Sequence, residues 1–145
     1  MPIPMSYFHL IFGLLLFWAF TVTGQYMRAD YPDKGEIDQA FRILMRSRHI
    51  YILLSSLVHI VLGIYLVPRP ALARRIFQFV GSALLVTSSG LLLWAFEVET
   101  YQAQHFTDIS RWGLYTALAG VVAHLIGGAK LPERFAQDTT RNISR

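Results

Sequence analysis

The sequence predicts an all-α polytopic membrane protein, a four-transmembrane-helix up-down bundle, and three observations lead there. Four apolar stretches are each about twenty residues long, the length that crosses a hydrocarbon core at about 1.5 Å rise per residue. The chain of 145 residues is 54% hydrophobic and 15% charged, with mean hydropathy +0.41, too apolar for an ordinary soluble domain. Lys and Arg lie almost wholly outside the apolar stretches, where they face anionic headgroups. The net charge of +4 therefore reads as membrane topology and not as nucleic-acid binding. The absence of cysteine excludes disulfides, thiolate metal sites, iron–sulfur clusters and covalently attached c-type haem.

The first span is expected over about residues 6–27. Met1 to Met5 holds no basic side chain and the apolar run has full spanning length, so it reads as a helix and not as a signal peptide. His9, Gly13, Leu16, Phe20, Gly24 and Met27 share one face of it. Between the first and second spans, Pro32-Asp33-Lys34-Gly35-Glu36 supplies a stop and a restart. Ile37, Phe41, Leu44 and Met45 then oppose Asp38, Gln39, Arg42 and Arg46, the pattern of a short interfacial helix.

The second span, about 48–67, opens on Arg46-Ser47-Arg48-His49 and stops at Pro68-Arg69-Pro70, where the prolines remove donors and clash with a continuing helix. His49, Ser56, His59 and Gly63 fall within a narrow arc that should face protein. The third span, about 75–96, carries Gln78, Ser82, Ser89 and Gly90 on its more polar side. Its Thr87-Ser88-Ser89-Gly90 run reads as helix packing. The fourth, about 111–129, lines one side with Gly113, Thr116, Ala117, Gly120, His124 and Gly127, a face suited to a membrane-protein partner or a second copy of the chain. Residues 1–130 thus form the membrane domain and 131–145 a polar, flexible tail in which Asn142-Ile143-Ser144 has the N-glycosylation pattern.

Counting Lys and Arg gives seven on the side of the N-terminus, second loop and tail, against six on the other. The positive-inside rule places both termini in the cytoplasm.

Three of the four spans repeat the pattern apolar-His-apolar-apolar-x-Gly, around His9, His59 and His124. In an up-down bundle these histidines share one leaflet. Ionisable side chains at membrane depth are costly, at least about 2.5 kcal/mol on insertion scales, so they mark function by default. Facing imidazoles, apolar walls and a glycine one turn from each suit a haem b held by His59 and His124, with His9 as an alternative ligand or hydrogen-bond donor. Apart from the haem iron no metal is expected, because carboxylates are missing from that leaflet. At the opposite face, Arg48, His49, Glu97 and Arg111 gather with Glu99, His105 and Asp108. Glu97 is expected to pair with Arg48 or His49 in a headgroup, quinone or proton-entry site.

The run Arg46-Ser47-Arg48-His49-Ile50-Tyr51-Ile52-Leu53, followed by His59 and Gly63, resembles small four-helix bacterial inner-membrane proteins without an assigned activity. The histidines on alternate helices are more distantly similar to membrane b-type cytochromes. That resemblance implies one haem and not two, since the fourth span offers only His124. The leading expectation is a haem-binding redox or electron-transfer protein of the bacterial inner membrane. The alternatives are a cofactor-free structural or assembly subunit and a proton or small-solute carrier using His59 and Glu97.

Overall fold

In a computed structural model, residues 4–31, 35, 38–99 and 108–128 are described. Among them the secondary structure is four α-helices: α1 (Met5–Asp30), α2 (Gln39–Tyr65), α3 (Leu72–Glu99) and α4 (Asp108–Gly128). Each is long and apolar enough to cross a membrane. The tail, His105 and Asn142 lie outside the described residues.

The helices begin and end for local reasons. Asp38 caps α2, its Oδ2 accepting from Ala40 N at 3.0 Å and Phe41 N at 3.2 Å, which satisfies two otherwise orphaned donors. From Gln39 to Leu62 there is no proline or glycine. The amphipathic segment ahead of the second span therefore continues straight into it. It is the first part of α2 and not a separate interfacial helix, which corrects the sequence expectation. At the other end α2 stops at Tyr65, two residues sooner than expected. Leu66 is already extended (φ −69°, ψ 112°), and the residue before Pro68 is disfavoured in a helix.

Packing groups the helices as two antiparallel pairs, α1 with α2 and α3 with α4, joined where α2 meets α3. Both pairs are close. A Cβ on Gly63 would lie 2.6 Å from the Cα of Leu10, and one on Gly120 would lie 3.0 Å from the carbonyl oxygen of Gly81. Hydroxyls bridge each pair: Ser56 Oγ donates to the Gly13 carbonyl at 3.0 Å, and Ser88 Oγ to the Gly113 carbonyl at 2.7 Å.

The burial pattern is reversed from that of a soluble protein. Among the described residues, twelve buried polar or charged side chains outnumber eight buried hydrophobic ones, while Trp18, Phe79, Leu118 and Leu125 point outward. An apolar surroundings is the medium in which this distribution is stable. The interior has two halves. Met45, Ile52 and Phe96 form an apolar cluster toward the α1–α2 turn. Histidines and serines fill the half toward the α2–α3 turn.

Candidate functional site

The polar half is built around Ser82. His9 comes from α1, His59 from α2, Ser82 and Ser89 from α3, and His124 from α4. Ser82 and Ser89 are seven residues apart and so project from nearly the same side of α3, two turns from one another. His9 Nδ1 lies 2.7 Å from His59 Nδ1, and His9 Nε2 lies 2.8 Å from Ser82 Oγ. The remaining nitrogen of His59, Nε2, is 3.1 Å from Ser89 Oγ, and His124 Nε2 is 3.2 Å from Ser82 Oγ. The result is one unbroken line, Ser89–His59–His9–Ser82–His124, with every member buried. Phe12 closes it from the side, its ring edge-on to His59 with centroids 4.8 Å apart.

A neutral imidazole has one donor and one acceptor nitrogen, so the line has a direction. In one ordering Ser89 donates to His59, His59 to His9, His9 to Ser82 and Ser82 to His124, leaving a proton on His124 Nδ1. In the other every donor is reversed, Ser89 donates to the Leu85 carbonyl 2.9 Å away, and His124 Nδ1 carries a lone pair. The orderings differ by one proton taken up at His124 and one released at Ser89. Ser82 likewise has the Gln78 carbonyl at 2.9 Å as an alternative acceptor. Both hydroxyls can therefore turn without losing a partner.

The two ends of this line open on adjoining spaces. His124 borders a groove of about 670 Å³ between α2 and α4, while His59 and Ser89 border a cavity of about 240 Å³ that also meets Ser55 and Ser88 and shares Val58, Leu85 and Val121 with the groove.

The same contacts test the expected haem. Bis-imidazole ligation needs a free nitrogen lone pair on each side of the macrocycle. Both nitrogens of His9 and both of His59 are engaged by side chains, and of the three imidazoles only His124 has a nitrogen, Nδ1, without a partner among the described residues. Two of the three glycines expected to make room for a flat ring are instead filled by the neighbouring helix, Gly13 by Ile60 and Gly63 by Leu10, while Gly128, one turn from His124, has nothing within 4 Å of an added Cβ. The residues as arranged do not fit a haem between His59 and His124. Nor do the described residues contain a group of three or more His, Asp or Glu suited to a metal ion.

The opposite cluster is divided by the structure. Arg48 is 2% exposed and its Nε lies 3.8 Å from Glu99 Oε2. Glu99 also accepts from Ile109 N at 2.7 Å, Ser110 N at 3.1 Å and Ser110 Oγ at 2.6 Å, so it caps the start of α4. Glu97, the expected partner of Arg48, is exposed, as is Arg111, which pairs with Asp108. His49 packs beside α1, stacked on Phe20 with centroids 4.1 Å apart and with Nδ1 3.1 Å from Thr23 Oγ1.

The small-residue face of α4 also has a different use. Gly113, Gly120 and Gly127 are buried against Leu92, Leu85 and Gln78 of α3, so these three glycines serve packing within the chain.

Among protein-family models, curated proteins and solved structures, none matches this chain.

Proposed function

We propose that this chain is a multi-pass inner-membrane protein, both termini cytoplasmic, that moves protons through its interior along Ser89–His59–His9–Ser82–His124. The observation that carries the proposal is the unbroken run of buried groups, each able to give and take a proton, with a cavity at either end. A proton taken up at His124 Nδ1 displaces the one on Nε2 to Ser82, and the displacement continues through His9 and His59 until Ser89 releases one. No group need carry a lasting charge in the low-dielectric interior, where an isolated ion is costly. Resetting the line requires the imidazoles to change tautomer and the hydroxyls to turn. In a packed interior that turn sets the rate.

The test is proton flux into liposomes holding a pH-sensitive dye, driven by a potassium diffusion potential. Wild-type protein should acidify the lumen faster than empty vesicles. His59→Gln retains hydrogen bonding but cannot pass a proton, and should lower the flux at least about tenfold, with Ser82→Ala similar. His49→Ala, off the line, should leave the flux unchanged. Flux equal to that of empty vesicles, or unaffected by His59→Gln, overturns the proposal.

A further inference from the structure

We infer that the groove between α2 and α4 binds a long-chain carboxylic acid, its head against Arg69 and His124 and its chain along the apolar wall. The inference rests on the proposed proton line, whose outer end borders this groove.

The groove is apolar along its length, with Leu57, Val61 and Leu62 on one wall and Val121 and Leu125 on the other. From Leu57 to Tyr65 the α2 wall rises about 12 Å at 1.5 Å per residue. Its polar groups are collected at one end, and that end is held rigidly. Gln78, 2% exposed, spends its amide on the α2–α3 turn: Nε2 donates to the Val67 carbonyl at 3.0 Å and Oε1 accepts from Arg69 N at 3.1 Å. Arg69 Nη2 donates to the Gly128 carbonyl at 2.7 Å, tying the turn to the end of α4.

Two nitrogens in this end are buried with no partner among the described residues, Arg69 Nε and His124 Nδ1. His124 is 9% exposed. A Cβ on Gly81 would meet its Cδ2 at 2.7 Å and its Nε2 contacts Ser82, so the Nδ1 edge is turned away from α3. Buried polar groups left unsatisfied are rare enough to call for a ligand or a bridging group.

The chemistry of the two nitrogens selects the ligand. Arg69 Nε always carries its proton and needs an acceptor. His124 Nδ1, at the end of the line, alternates between donor and acceptor. A carboxyl group answers both, one oxygen accepting from Arg69 while the other gives its proton to His124 as a carboxylic acid or accepts one back as a carboxylate. A phosphodiester headgroup holds no exchangeable proton, and an alcohol lacks the second oxygen. In a bilayer the acyl chain gains little by leaving lipid for an equally apolar wall, so selectivity must come from the head.

The test is equilibrium binding of radiolabelled palmitate to the protein in phosphatidylcholine nanodiscs, measured against empty discs and without a proton gradient. Binding should saturate at about one palmitate per chain. Arg69→Gln should weaken it at least about tenfold. Val61→Trp leaves the Arg69 contacts in place but fills the groove, and should abolish binding. Glu97→Gln, at the far end of the molecule, should not change it. Non-saturable binding, binding unchanged in Arg69→Gln and Val61→Trp, or displacement by hexadecanol as effective as by palmitate would overturn the inference. Equal displacement by phosphatidylglycerol would assign the site to acidic lipid headgroups and also overturn it. Because no proton flux is read, loss of the proton line and loss of this site are separate results.

Discussion

Glu99 holds together two parts of the chain that the sequence keeps apart, since its carboxylate faces Arg48 of α2 and caps the first turn of α4. Removing one partner of a buried ion pair costs about 3–5 kcal/mol because the other charge remains desolvated. Glu99→Ala should therefore destabilise the protein by about 3 kcal/mol or more, whereas Glu97→Ala, on an exposed side chain, should stay within about 0.5 kcal/mol. Thermal unfolding in mild detergent distinguishes them, and equal effects would contradict the assigned pairing. The two carboxylates show where sequence reading stops. Both lie near the end of one apolar run, but two residues are about 200° apart on a helix, so only one faces the interior. The run and its polar end were legible; the rotation of α3 against α2 was not. Ser82 and Ser89 pose the same difficulty. Their hydroxyls read as ordinary packing groups because the imidazoles they meet are supplied by other helices. The seven-residue spacing, with Gln78 one turn before Ser82, was the signal available for finding them.

The helices themselves were legible, because length, apolarity and the Pro68–Pro70 break are properties of the chain alone. What each helix face meets depends on its neighbours. The glycines following the histidines illustrate this: a glycine one turn from an imidazole suits a flat ligand or a close helix, and here Gly13 and Gly63 admit the facing helix. Gly90 has nothing within 4 Å of an added Cβ. Gly63→Ala should thus force α1 from α2 and lower stability by about 1–3 kcal/mol, the usual range for overpacking. Gly90→Ala removes a flexible residue from a helix interior without a clash and should leave the protein unchanged or slightly more stable. Unfolding midpoints of the two variants check the packing of α1 on α2. A Gly63→Ala midpoint equal to that of Gly90→Ala would mean the helices do not approach as described.

At the scale of the whole molecule, the two halves of the interior divide the work. The half near the α1–α2 turn holds the Met45, Ile52 and Phe96 cluster and the Arg48–Glu99 pair, while the half near the α2–α3 turn holds the line of histidines and serines. The two ends of the molecule are fixed by contacts. Arg69 of the α2–α3 turn reaches Gly128 at the end of α4, and Met5 at the start of α1 touches Ser82, so these belong to one end; Asp30, Glu99 and Asp108 belong to the other. Orientation follows from which end presents more cations to the headgroups. Of the six Lys and Arg on the second end, Arg48 is buried against Glu99 and is not presented to headgroups, which leaves five against seven on the first. The first end should therefore face the cytoplasm. Because the chain has no cysteine, single substitutions report position without background. In intact spheroplasts a membrane-impermeant maleimide should label Asp30→Cys, and should label Val67→Cys only after permeabilisation. The reverse pattern would invert the orientation. Labelling of both from the same side would contradict four crossings, because Asp30 and Val67 are separated by the whole of α2.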